Sequence, residues 1–385
     1  MPTVPSGATP IMLKWTRLRA GLEIKEVATA ENLKSEEIEE WESGNRTPSL
    51  AVLGRLAKRY KFPKMVFYLE SPPTDFTVVR DFRRLPAHVG QSMTPKLRFA
   101  IRSARERQAW ASGFLEENNE PTCEIVGSIG TKANVTETAK RLRTLLGVSI
   151  EQQAFCHSRS SFSLWRRQCE SLGVFVFQAS GIAVEEMRGC AFSDKYAPAI
   201  VVNIRETSPP RTFTLIHELV HILLGDTSIS AGSFRQPHRA VERFCDAVSA
   251  EVLMPSEDFR AFVPSGWQSN DDAVIADAAR RYNVSRVAVL LKLLDEKLAS
   301  QQYINEKWKA YTSTAMTSTP GRSSPYKKAL NRTGEMFARL AFSAYESGEI
   351  HGGAFTELLG MKLKHLPKLM RTLYPNRVQP STTAG

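Results

Sequence analysis

A chain of 385 residues has the length of two or three domains and ample material for a sizeable core. Its first ten residues, MPTVPSGATP, lack the apolar run of a signal peptide, and nowhere do 18 consecutive apolar residues occur to span a membrane, so the expectation is a cytoplasmic protein. Five scattered cysteines (Cys123, Cys156, Cys169, Cys190 and Cys245), with no CxxC pair, fit neither a disulfide framework nor a cysteine zinc knuckle. The net charge of +11 sits at the ends: residues 121–296 are close to neutral, whereas 297–385 carry 13 Lys and Arg against 5 Asp and Glu, which suits ends that meet nucleic acid.

Residues 11–70 read as a compact helical domain. An amphipathic helix over 11–20 is stopped by Gly21, a short one covers 24–30, Ser35 opens a third that ends at Gly44, and 49–60 and 64–68 supply two more. Short helices joined by three- or four-residue turns are the helix-turn-helix arrangement. The run WESGNRTPSLAVLGRLAKRY resembles the XRE (lambda-repressor-like) family, with Trp41, Glu42, Gly44, Arg46, Pro48 and Leu50 matching its E-x-G-x-R-x-P-S/T turn and following helix. By that resemblance Lys25, Lys34, Ser35, Glu36 and Glu37 face the major groove, with Arg46 as a further cation. The third helix, however, carries five carboxylates (Glu36, Glu37, Glu39, Glu40 and Glu42), which phosphates repel. The fold favours DNA as the partner of residues 11–70, and the gripping of a protein is the rival use.

Residues 71–131 read as a connector, broken at SPPTDF and DFRRLP, with a long Arg-rich helix over 95–117. Amphipathic helices follow over 136–146 and 162–172. Strands are expected at VFVFQ, 188–193 and 199–203, forming a small sheet directly before the next helix.

That helix is RTFTLIHELVHILLG, residues 211–225. It is apolar on most sides, but Thr214, His217, Glu218 and His221 form one polar stripe. Two imidazoles four residues apart share a helix face and can hold one zinc, with Glu218 as the general base beside them. Burying two His and a Glu with neither a metal nor full pairing is expensive, which favours the metal reading over a satisfied core. A third ligand is expected downstream on AVERFCDAVSAEVLM (240–254), where Glu242, Asp246 and Ser249 adjoin the apolar face. Glu242 completes a two-His, one-Glu set, and Asp246, one turn on, can hold the free imidazole N–H of a ligand His. His238 and Glu251 are the rival ligands, and Tyr196, Arg205 and His238 are candidates to steady a tetrahedral intermediate.

The stretches WRRQCESLGVFVFQ, EEMRGCAFSD, AIVVN, RTFTLIHELVHILLG and ERFCDAVSAEVLMP together resemble the ImmA/IrrE family of zinc metallopeptidases. The resemblance implies a small zincin-like domain over 132–300, with Zn2+ on His217, His221 and Glu242 and Glu218 as catalytic carboxylate of a gluzincin-like endopeptidase. It also implies a substrate class, helix-turn-helix repressors of mobile-element or stress genes. The alternative is a DNA-binding regulator or antitoxin whose zinc fold binds a partner, such as a toxin, without turnover.

Residues 301–325 read as a flexible Ser/Thr/Pro linker and 326–376 as a separate basic helical unit. The fold class expected is thus α+β, mostly helical: a helix-turn-helix domain, a zinc domain with a short sheet, and a helical C-terminal unit. One further expectation concerns substrate entry. With 199–203 paired only to 188–193, its other edge would be open to an added substrate strand, and Pro at Val201 or Val202 would block it.

Overall fold

A computed structural model describes residues 5–72, 93–130, 132–156, 158–230, 239–265, 267, 272–313 and 323–375. The chain divides into two compact units, Met1–Ser103 and Ala104–Gly385. It is α+β and mostly helical, as the sequence patterns require. Among the described residues no helix is long and apolar enough to cross a membrane.

The first unit contains α1 (Pro10–Ala20), α2 (Ile24–Glu31), α3 (Ser35–Ser43), α4 (Leu50–Tyr60) and a 3-10 turn, Lys64–Tyr68. One apolar residue set from each helix meets in a single core: Leu13, Val27, Ile38, Trp41, Leu53, Leu56, Tyr60 and Phe67. A buried ion pair ties α1 to α3, with Arg17 Nε and Nη2 donating to Glu42 Oε1 and Oε2 at 2.6 and 2.8 Å. The unit closes on the first half of α5 (Pro95–Glu117), where Leu97 and Ile101 are buried and the Arg102 guanidinium stacks 4.1 Å over Phe62. Residues 95–103 of this helix fall in the first unit and 104–117 in the second.

In the second unit α6 (Val135–Leu146), α7 (Ile150–Phe155) and α8 (Ser158–Ser171) precede β1 (Phe175–Ala179), β2 (Gly189–Phe192) and β3 (Ala199–Asn203). Then come α9 (Ser208–Leu223), β4 (Ser228–Ser230), α10 (Arg239–Leu253), α11 (Ser256–Phe262), α12 (Asp272–Arg281), α13 (Arg286–Asp295) and α14 (Gln301–Ser313). The helices α15 (Pro325–Thr333), α16 (Glu335–Glu346), α17 (Gly352–Leu359) and α18 (Leu366–Leu373) complete it.

The sheet order is β1-β3-β2-β4. β3 pairs antiparallel with β2, as expected, but its other edge is taken by β1 in parallel register, Phe175 opposite Ala199 and Ala179 opposite Asn203. This corrects the open-edge expectation: β3 is central and cannot receive an added strand. The physical reason is legible afterwards, since a run such as AIVVN, buried at every position, is what a strand covered on both faces and both edges needs.

Both faces of the sheet are covered. Val176, Ala191, Ile200 and Val202 pack into the core shared with α9, α10 and α13. Phe175 and Phe177 stack on the opposite face, and the fully buried Phe337 of α16 meets both edge-on at 5.9 and 5.4 Å. Arg166 Nη1 donates to Asn331 O at 2.8 Å, and Met336 N donates to Glu170 Oε2 at 3.3 Å. The C-terminal helices are thus part of the second unit, which corrects their reading as a separate one. The linker reading also fails over 301–313, which is helix α14, with Tyr303 and Ile304 buried; residues 314–322 lie outside the described residues.

Candidate metal centre

Helix α9 starts at a Ser-Pro-Pro sequence, where prolines lose no intrahelical bond, and runs through the middle of the core. Leu215, Ile216, Leu219, Val220, Ile222 and Leu223 fill that core on most sides. The polar stripe predicted on it is buried as well: Thr214, His217, Glu218 and His221. Such a stripe persists only if its members are partnered, and α10 supplies the partners of the two histidines. Its register puts Glu242 and Asp246, one turn apart, against the two imidazoles.

The distances define a compact donor set. His217 Nε2 lies 3.2 Å from Glu242 Oε2 and 3.3 Å from His221 Nε2, and His221 Nε2 lies 3.5 Å from Glu242 Oε1. His217, His221 and Glu242 each offer a ligand atom within 4.8 Å of the others. Zinc bound at about 2.0–2.2 Å in a tetrahedral site spaces its ligands by roughly 3.3–3.5 Å, so the residues present fit a zinc ion. Two imidazole nitrogens facing each other at 3.3 Å also need a shared cation or a proton between them.

The electrostatics agree. Burial alone would lower the pKa of His217, but hydrogen bonds to Asp246 and Glu242 and the charge of Glu218 outweigh it and push it up to about 10. Burial would raise Glu242, but His217 and His221 hold it below the ordinary carboxylate range. A field that retains a proton this firmly also attracts a dication.

Around the donors stand two orienting carboxylates. Asp246 Oδ1 is 3.0 Å from His217 Nδ1, as the spacing on α10 anticipates. Asp226, which sequence reasoning missed, does the same for His221: its Oδ2 is 3.4 Å from His221 Nδ1, a long ionic contact rather than a tight hydrogen bond. Asp226 reaches there because the chain reverses at Gly225 (φ 70°), and Asp226 N then donates to His221 O at 2.9 Å. The Gly-Asp pair just past the helix is the signal that could have found it.

Glu218 sits against β2 at its first residue. A Cβ on Gly189 would come within 2.6 Å of Thr214 Cγ2 and 2.9 Å of both Glu218 Cγ and Oε1, so only glycine leaves room for the carboxylate. One turn back, Thr214 Oγ1 donates to Glu206 Oε2 at 2.9 Å, and burial raises the Glu206 pKa. Burial, with the Glu218 charge next in importance, also raises the Cys190 thiol well above its ordinary value, so it stays neutral.

The other candidates separate clearly. Glu251 points elsewhere, accepting from Ser256 N and Oγ and from Lys292 Nζ at 2.9, 2.6 and 2.6 Å, so it is not a ligand. His238 lies outside the described residues. Tyr196 is in the β2–β3 turn, its N–H bonded to Asp194 Oδ1 and its ring under the Lys195 ammonium, while Arg205 is exposed beyond the end of β3. In the first unit Lys25, Lys34 and Glu36 are exposed at the starts of α2 and α3, and Ser35 is half-buried. The Glu37 carboxylate accepts from Lys34 N at 2.9 Å, and Arg46 donates to Glu40 at 3.0 Å.

Residues 169–294 match the Peptidase M78 family, described as the IrrE N-terminal-like domain. The matched stretch runs from the end of α8 to α13 and holds His217, Glu218, His221, Asp226, Glu242 and Asp246. This similarity supports a zinc-type peptidase domain of the ImmA/IrrE kind in the second unit. No curated protein matches the chain.

Proposed function

We propose that the second unit is a zinc-dependent endopeptidase, with His217, His221 and Glu242 as metal ligands and Glu218 as its general base and acid. The observation that carries this reading is the coincidence of a tetrahedral-size donor set with an adjacent, fully buried carboxylate in a stretch similar to a peptidase family. Zinc, when bound, supplies Lewis acidity toward a peptide carbonyl and toward water. Glu218 takes the proton from the attacking water and returns it to the leaving amine. Asp246 and Asp226 fix the ring orientation of the two ligand histidines, and Gly189 lets the Glu218 carboxylate lie close to β2.

The substrate class best suited to this reading is a helix-turn-helix repressor, cleaved to release mobile-element or stress genes. The first unit is proposed to bind DNA through α2 and α3. Supporting this, three of the five α3 carboxylates are engaged within the unit (Glu37 with Lys34 N, Glu40 with Arg46, Glu42 with Arg17), and Lys25 and Lys34 are exposed at the helix starts. Salt-dependent binding to promoter fragments, weakened in Lys34→Ala, tests that part.

Purified protein is expected to hold about one zinc per chain, lost in His217→Ala, His221→Ala and Glu242→Ala. Glu218→Gln is expected to retain zinc and to abolish cleavage. Full zinc occupancy in Glu242→Ala would remove that residue from the ligand set. Unchanged biological output of Glu218→Gln would favour a binding role without turnover.

A further inference from the structure

Between Leu358 and Gly385 the chain contains no Asp or Glu, while Lys362, Lys364, Lys368 and Arg371 are all exposed. Lys364, Lys368 and Arg371 stand at i, i+4 and i+7, along one face of the 3-10 turn Leu363–His365 and α18. The apolar side of the same helix, Leu369 and Leu373, is buried in the second unit. Among the described residues none of these four cations is in an ion pair. Exposed Arg46 and Lys195, by contrast, each meet a carboxylate. Helix α15, packed against α18, adds exposed Lys327 and Lys328, likewise without an ion pair among the described residues.

We propose that this face of the second unit binds the phosphate backbone of duplex nucleic acid without reading its sequence. An ordinary solvated surface intersperses both signs, and a run of single-sign charge this long is an electrostatic footprint for a polyanion. At 1.5 Å per residue, Lys364 to Arg371 spans about 10 Å, enough to meet two or three phosphates of one strand. The apolar face of α18 is already used inside the protein, so the helix has nothing to insert into lipid. The basic stretch also has no cluster of exposed aromatic anchors, which a protein partner would need at the centre of an interface. The inference does not rest on the peptidase reading.

The test uses the full chain and a mixed-sequence duplex of about 20 base pairs, titrated between about 50 and 200 mM salt. Lys364→Glu/Lys368→Glu/Arg371→Glu is expected to weaken binding at least tenfold and to flatten the salt slope by about 0.9 for each phosphate contact removed. Lys132→Gln/Lys140→Gln, exposed elsewhere on the second unit, is expected to leave affinity and slope unchanged. Should the reversed triple variant melt early, the corresponding Gln triple variant carries the same test. A well-folded variant with unchanged affinity and slope overturns the proposal. So does binding of the wild type to phosphatidylserine vesicles but not to the duplex.

Discussion

At the scale of single residues, the two histidines proposed as zinc ligands are each met by a carboxylate on a different element, Asp246 from α10 and Asp226 from the turn after α9. Orienting groups of this kind typically hold 10–100-fold of metal affinity. Asp246→Ala and Asp226→Ala are therefore each expected to weaken zinc binding by about 10–100-fold in chelator competition, with melting of the zinc-loaded protein little changed. The longer contact of Asp226 predicts the smaller loss of the two. Gly189→Ala addresses Glu218, the proposed catalytic carboxylate, instead. Its Cβ would overlap Thr214 and Glu218, so cleavage is expected to fall at least tenfold while zinc content stays normal, at about 1–3 kcal/mol of stability. Normal turnover in a folded Gly189→Ala protein would show that Glu218 does not depend on this approach.

At the scale of elements, α10, α11 and α13 are locked by a buried polar knot. Lys292 on α13 donates to Glu251 on α10 at 2.6 Å and to Ser256 Oγ at the start of α11 at 2.8 Å, with Glu296 at 3.2 Å. Truncating one member of such a knot leaves a buried charge short of partners, and Glu251→Ala is expected to destabilise the unit by about 3 kcal/mol in urea unfolding. The knot also gives a pH signature. Burial would raise the Glu251 pKa, but Lys292 and Ser256 hold it below its ordinary 4.5. As pH falls below about 4.5 the unfolded chain takes up this proton first. The stability it contributes is thus whole above that pH and is lost as pH drops through the lower folded value. Glu251→Gln is expected to be less stable at neutral pH and to lose less on acidification than the wild type.

For the second unit as a whole, the C-terminal helices close the far face of the sheet. Phe337 meets Phe175, Phe177 and Trp110, and removing it opens a cavity under three aromatic rings. Phe337→Ala is expected to cost about 3–5 kcal/mol. A chain ending at Ser324 is expected to aggregate or to melt far below the full chain, because Phe175 and Phe177 would face water. Equal melting of the truncated chain would show the sheet to be self-sufficient. The second unit continues past the 169–294 stretch that matches the Peptidase M78 family.

The sequence by itself determined whatever depends on neighbours within a turn or two. The 3.6-residue period put His217, Glu218 and His221 on one stripe and Glu242 and Asp246 on another, and the clustering of β-formers located three of the four strands. It also set the proposed ligand apart from its rival: Glu251 lies well round α10 from Glu242, and the structure finds it holding Lys292. Tertiary structure alone decided what joins residues far apart. The pairing of β1 with β3, the seat of α16 on the sheet, and the bonds from Lys292 to α10 and α11 link segments 24 to more than 100 residues distant, and no local pattern encodes such a partner. Gly189 belongs to the same class. Its identity follows from helix residues 25 and 29 positions later, Thr214 and Glu218, and only the packed fold brings the Glu218 carboxylate against that one missing Cβ.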